Sequence, residues 1–167
     1  MKVGILSDTH DNIHAIKAAV SFFNTQDLKY VIHAGDYVAP FSLKELMNVR
    51  AKFFGVFGNN DGERMGLLAV CKNLHEPPYD LILDGKHIIV THMLESLSKR
   101  SIMNTDIIIY AHTHMPEIKP GIPLYLNPGE CGGWLNGKNT VAILDLQAIQ
   151  ADIIDLSAIP PIKADRG

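Results

Sequence analysis

Residues 3–10 read VGILSDTH: four apolar or small residues, then an abrupt switch to serine, acid, threonine and histidine. A strand-length run that stays apolar at consecutive positions suits a strand covered on both faces, as in a sheet flanked by helices. The same form recurs along the chain. Residues 30–33 (YVIH) lead to Gly35-Asp36, and residues 53–57 (FFGVF) give way to Gly58-Asn59-Asn60-Asp61. Residues 87–91 (HIIVT) end at His92, and residues 107–110 (IIIY) lead to His112-Thr113-His114.

Helical patterns lie between the first of these runs. Ile13, Ile16, Val20 and Phe23 recur with a 3.6-residue period behind Asp11 or Asn12 as N-cap. A second helix starts at Pro40, with Leu43, Leu46 and Met47 on its apolar side. The first third therefore reads β-α-β-α-β. Residues 140–146 and 151–156 form two strands joined by a tight turn. The expectation is a mixed α/β domain whose later strands build a second sheet.

The chain has 167 residues, with 47% hydrophobic and 20% charged. That length fits one domain with a substantial core, assigned to residues 1–156. Residues 157–167, SAIPPIKADRG, read as a flexible C-terminal tail. A formal net charge of -3 gives no global basic field, so strong general nucleic-acid binding is not expected. Cys71 and Cys131 show no CxxC spacing and read as reduced thiols. The N-terminal apolar run is too short for a signal-peptide core, and no stretch approaches a membrane span. The expected location is the cytoplasm, with no membrane association; self-association is left open.

In open α/β sheets, ligands bind beyond the carboxyl ends of the strands. All five runs place ligand-type residues there. Singly, each signal has a plainer account: Asp8-x-His10 as a helix cap beside a surface histidine, Gly35-Asp36 as a turn, His112-x-His114 as a structural pair. Their conjunction argues otherwise. Converging loops would gather Asp8, His10, Asp36, Asn59, His92, His112 and His114, and such a polar cluster is unfavourable without cations. A mixed oxygen and nitrogen donor set without thiolate suits manganese, iron, cobalt, nickel or zinc better than calcium or magnesium. Seven donors exceed the need of one such ion, so two ions sharing a carboxylate is the economical arrangement. A metal pair about 3.5–4 Å apart clamps a phosphoryl group and generates a hydroxide nucleophile near neutral pH.

The ordered series D-x-H, G-D, G-N-x-D, H and H-x-H resembles the calcineurin-like metallophosphoesterases, and is most similar to their small bacterial and archaeal phosphodiesterase branch. The resemblance runs from Met1 to about Leu156. It implies a four-layer α/β/β/α sandwich with two mixed sheets and a dinuclear site at the strand ends. Carried over by position, it implies that Asp8, His10 and His114 bind one ion and Asn59, His92 and His112 the other. Asp36 would bridge them, and Asp61 would sit behind the site and orient its neighbour. Manganese is the first expectation, with nickel, iron, cobalt or zinc as alternatives, and the substrate a small phosphodiester.

Three positions depart from the family pattern. Ala111 and Met93 replace glycines beside ligands. More consequentially, the usual G-N-H-D is Gly58-Asn59-Asn60-Asp61. The family's histidine there helps neutralise the transition state and protonate the leaving oxygen, and an amide supplies no proton. General acid catalysis is typically worth about 10²–10⁴-fold. Asn60 is therefore expected to leave phosphodiester cleavage with good leaving groups and weak phosphomonoesterase activity, while still donating an N–H towards a phosphoryl oxygen. The plainer account makes Asn60 a turn residue in an Asn-Asp-Gly sequence.

Other residues read as structural. His33 is a core histidine, His14 lies on the surface, and His75 and His87 are exposed without partner spacing. Asp11 is a helix cap and Arg64 a solvated helix-terminal charge, with phosphate contact as its sharper alternative. Residues 127–134, NPGECGGW, are turn chemistry with a lone tryptophan at the pocket or at an oligomer interface. Two other functions compete: a non-catalytic scaffold on the same fold, and hydrolysis of a non-phosphate ester or amide. The complete donor set argues against the first, and paired ions facing a tetrahedral oxyanion favour phosphate over the second.

Overall fold

The computed structural model describes residues 1–98, 100 and 102–158. Its first sheet is built by the β-α-β-α-β pattern of the sequence. Strands β1 (Lys2–Leu6), β2 (Leu28–His33) and β3 (Lys52–Val56) run parallel. They are joined through helices α1 (Ile13–Thr25) and α2 (Pro40–Leu46). After helix α3 (Arg64–Val70), the two-residue strand β4 (Leu74–His75) adds to the same edge. Asn12 caps α1, its side-chain oxygen accepting the Ala15 N–H. Asp11 does different work: its carboxylate accepts the Ala39 N–H, at the entry to α2.

The second sheet has the order β5-β6-β7-β9-β8. Its strands are β5 (Tyr79–Leu83), β6 (Lys86–Val90), β7 (Ile107–Ile109), β8 (Glu117–Lys119) and β9 (Leu124–Asn127). β6, β7 and β9 are parallel, and both edge strands are antiparallel. Both sheets are mixed, and the chain is an α/β fold.

The C-terminal hairpin, β10 (Thr140–Asp145) and β11 (Gln150–Asp155), takes a different place from the one its late position suggests. It joins the first sheet, where β10 pairs antiparallel with β1. Only the middle strands build the second sheet. Strand pairing across more than 130 residues is decided by which apolar faces meet, and local pattern is blind to that.

Apolar residues fill three interfaces. Val3, Ile5, Ile32, Val56, Ile88, Val90, Ile107, Ile109, Leu124 and Leu126 pack between the sheets. Ile16, Val20, Phe23, Leu43, Leu46 and Leu67 seat the helices on the first sheet. The outer face of the second sheet buries Ile89, Ile108 and Tyr110 under Leu94, Leu97 and Ile102. That fourth layer is thin: a 3-10 turn at Leu94–Ser96 and its loop, with no α-helix among the described residues. Of the expected tail, Ser157 and Ala158 end a 3-10 turn that starts at Leu156, whose side chain is buried. The remainder lies outside the described residues.

Candidate metal centre

The parallel strands β1, β2, β3, β6 and β7 all deliver their following loops to one end of the two sheets. Five of the seven donors gathered there have left-handed backbone: Asp8 (φ 51), His10 (φ 40), Asp36 (φ 65), His112 (φ 71) and His114 (φ 60). Non-glycine residues seldom adopt this conformation, and clusters of such strain mark functional sites. Two glycines make the convergence sterically feasible. A Cβ on Gly58 would land on the Asp36 carboxylate, and one on Gly35 (φ 102) would sit 2.7 Å from His92 Nδ1.

Asp61 organises the centre without entering it. Its Oδ2 accepts the N–H groups of Asp36 (3.0 Å) and Gly58 (2.7 Å), and its Oδ1 those of Tyr37 and Val38 (both 2.8 Å). One buried carboxylate thus holds four backbone amides and presents Asp36 forward.

Asp8, His10 and His114 bring one donor atom each within 4.8 Å of one another, and so do Asp8, Asp36 and His92. Asp36 Oδ2 lies 3.6 Å from His10 Nε2 and 3.4 Å from His92 Nε2, between the two imidazoles. His92 donates Nδ1–H to Ala34 O at 2.8 Å, which leaves Nε2 facing the carboxylates. His10 and His114 stack with centroids 5.2 Å apart. His112 packs edge-on against His92, at 5.2 Å, but is exposed and belongs to neither tight cluster. Asn59 is also exposed, and lines a cavity of about 190 Å³ with Phe57, Arg64, His92 and Met93.

The buried donors have unmet bonding capacity. Asp8 Oδ1 and Oδ2, His10 Nε2 and His92 Nε2 lack a hydrogen-bond partner among the described residues. Buried polar atoms are normally satisfied, and four orphans pointing at one another fit a cation. The electrostatics agree. Burial pushes the Asp8 carboxyl up, more than the neighbouring His92 and His114 pull it down. For Asp36 burial also acts upward, but the neighbouring His92 and the two hydrogen bonds from Asn60 win and hold it well below the carboxylate range. Burial opposes charge on His92, yet Asp36 and Asp8 raise its pKa. The cluster calls for positive charge. Burial, with Asp8 and Glu130 nearby, pushes the Cys131 thiol up to about 12.

Asn60 is tied to the same carboxylate. Its backbone N–H donates to Asp36 Oδ1 (2.8 Å) and its side-chain amide to Asp36 Oδ2 (2.7 Å).

The residue that sequence reading passed over is Glu130, from the stretch taken as turn chemistry. It is 1% exposed, and its Oε1 stands 3.3 Å from His114 Nδ1, at ion-pair distance though off hydrogen-bond geometry. That contact points His114 Nε2 at Asp8, 3.5 Å away. An acid inside a Gly/Pro turn was the only available signal. Asn127 buttresses the other side, donating to Ala111 O and Thr113 Oγ1.

Among the residues set aside, His33 is a satisfied core histidine: Nδ1 accepts Gly35 N–H, and Nε2 faces Thr9 Oγ1. Arg64 donates to Glu76 at 2.6 Å and covers the Phe57 ring. His75 stacks on Tyr79 with centroids 3.7 Å apart. His87, expected to be exposed, is 30% exposed and pairs with Asp80 at 2.7 Å.

The profile of the calcineurin-like phosphoesterase superfamily domain matches residues 1–148. The chain is 39% identical to phosphodiesterase MJ0936 of Methanocaldococcus jannaschii over 160 residues, covering 88% of this chain and 94% of that protein. It is 26% identical to phosphodiesterase YfcE of Escherichia coli K12, covering 92% and 97%. A solved archaeal phosphodiesterase superposes with a TM-score of 0.84 at 35% identity, covering 93% of this chain and 99% of that one. Vps29 of Chaetomium thermophilum shares the fold, with a TM-score of 0.69 at 14% identity over 91% and 86% of the two chains. The protein belongs to the calcineurin-like phosphoesterase superfamily. Membership and donor set together define a metal-dependent phosphoesterase. No helix of the described residues is long and apolar enough to cross a membrane.

Proposed function

We propose that the protein is a two-metal phosphodiesterase acting on small diesters with good leaving groups. The observation that carries this reading is the set of buried, unpartnered donor atoms of Asp8, His10 and His92, grouped around Asp36. Relatives named as phosphodiesterases support the substrate class. In this reading Asp8, His10 and His114 hold one divalent ion, and Asn59, His92 and His112 the other, with Asp36 shared. Asn59 and His112, both exposed, would complete that half. Manganese is the first choice, with nickel, iron, cobalt or zinc as alternatives. Bound there, the ions would supply Lewis acidity and a water of pKa near 7.

The remaining chemistry belongs to the chain. Asp61 holds the Asp36 loop rigid, and Ala34 O fixes the His92 tautomer. Glu130 stands 3.3 Å behind His114 Nδ1 and orients that ring. Asn60 orients Asp36 and has no proton to give, so the leaving oxygen departs without general-acid help. Aryl and other stable leaving anions are favoured, and monoesters, with their extra charge, turn over poorly. Two buried free cysteines fit a reducing cytoplasm.

The test compares bis-p-nitrophenyl phosphate, p-nitrophenyl phosphate and an alkyl monoester in manganese. The diester is expected to dominate, and Asn60→His to raise monoester turnover by about 10-fold or more. Preference for the alkyl monoester would overturn the reading of Asn60. A protein that refuses manganese and cleaves nothing would be a scaffold.

A further inference from the structure

Residues 130–135, past the end of β9, fold over the Asp8–His10–His114 side of the centre and are unusually well anchored. The Glu130 carboxylate accepts the backbone N–H groups of Trp134 (2.8 Å) and Leu135 (3.0 Å). Gly132 N–H donates to Asp8 O at 2.9 Å, and Asn12 Nδ2 to Gly132 O at 2.7 Å. Asn139 Nδ2 donates to Cys131 O at 2.8 Å. The Trp134 indole N–H donates to the backbone oxygen of His10 at 3.1 Å.

Despite this anchoring, Trp134 is 63% exposed and Leu135 is 72% exposed. An aromatic side chain with its polar atom satisfied has no reason of its own to face water; burying it would stabilise the fold. Here a rigid loop holds it out. The two side chains flank a depression of about 310 Å³ whose other walls are His10, His114 and Glu130. That volume lies at the low end of small-ligand sites, about 300–1,000 Å³. Two of its walls are candidate metal ligands, so a phosphorus held at the centre places one ester arm against the indole.

We propose that Trp134 and Leu135 form a shelf that binds a planar aromatic arm of the diester, such as an aryl group or a nucleobase. The proposal rests on the phosphodiesterase reading and narrows its substrate class to diesters with an aromatic arm. A second copy of the chain is the less fitting occupant. Two apolar side chains fall far short of the roughly 20–30 residues a side of a stable interface, and the depression is continuous with the metal centre.

The chain has one tryptophan, so emission excited at 295 nm reports Trp134 alone. In manganese-loaded protein, diphenyl phosphate, a poor substrate, is expected to change that emission saturably, while dimethyl phosphate at equal concentration does not. Trp134→Ala is expected to raise KM for bis-p-nitrophenyl phosphate about 10-fold, the scale of one aromatic stack, with kcat changed less than threefold. Trp134→Phe restores most of the affinity, and Leu135→Ser weakens diphenyl phosphate binding while keeping the fluorophore. Parent protein that cleaves bis-p-nitrophenyl phosphate while emission and the Trp134→Ala KM stay unmoved overturns the shelf and leaves the enzyme standing. Parent protein that cleaves no diester in manganese overturns both. Emission that shifts with protein concentration, alongside a dimer in sedimentation, gives the shelf to a second copy and overturns the proposal.

Discussion

The two halves of the candidate metal centre are built differently. On one side, Asp8, His10 and His114 form a compact triad, with Asp8 fully buried and His114 backed by Glu130. On the other, Asp36 and His92 are buried and fixed, but Asn59 and His112 stand exposed, Asn59 beside an open cavity. The first half is preorganised; the second has only half its donors in place. Preorganised donors lose little freedom on binding, so the first half should load at lower metal concentration.

In the proposed assignment Asp36 is the side chain that both ions would share, and removing it should erase the difference between the halves. Asp36→Ala is expected to lower diester turnover on the order of 10³-fold or more, since several kcal/mol of charge stabilisation depend on the ions it positions. Calorimetric titration with manganese would show the loss of the tight event as well. Retained turnover would place the chemistry elsewhere.

Glu130 separates the halves instead. Glu130→Ala should weaken the first manganese event about 10–100-fold, the usual cost of losing a ligand's outer partner, and leave the second within about threefold. Glu130→Gln, which keeps an acceptor for the Trp134 and Leu135 amides, should lose less. Thermal unfolding of both variants distinguishes a fallen loop from a mispositioned His114. Equal weakening of both events would mean that Glu130 acts on the fold and not on one ligand.

The smallest effect comes from the far end of β6, where His87 meets Asp80 in the open while His92 faces Asp36 in the interior. The Asp80 hydrogen bond and the Asn104 carbonyl raise the His87 pKa. A raised folded-state pKa means that this pair contributes fully below the unfolded value, about 6.5, and fades as pH rises through the folded one. Asp80→Asn should therefore lower the melting temperature more at pH 5.5 than at pH 8.5. The loss stays under about 1 kcal/mol because the pair is exposed. An equal loss at both pH values would make the contact a neutral hydrogen bond.

How far the sequence shows these features depends on how local their causes are. A strand buried on both faces must be apolar throughout, and the loop at its end must be polar if it carries ligands. Val3–Asp8 and Ile107–His114 therefore advertise both the strand and the donors. The partner of His87 is not legible in the sequence because it lies across the β5–β6 ladder, where Ile82 stands opposite His87 and Asp80 opposite Ile89. Glu130 was missed for the same kind of reason. Its neighbours in sequence are turn residues, and its partner His114 lies in the loop after β7.

The amino-acid order alone determined the strand-and-helix rhythm, the family, and the donors Asp8, His10, Asp36, His92 and His114 that the fold brings together, since each is written in residue type at short spacing. Tertiary structure decided the rest: that the last hairpin returns to β1, that Asn60 spends its amide on Asp36, that Glu130 stands behind His114, and that Trp134 stays in water. Those outcomes follow from which surfaces meet when distant segments pack, and contact energies between segments far apart in sequence leave no local trace in it.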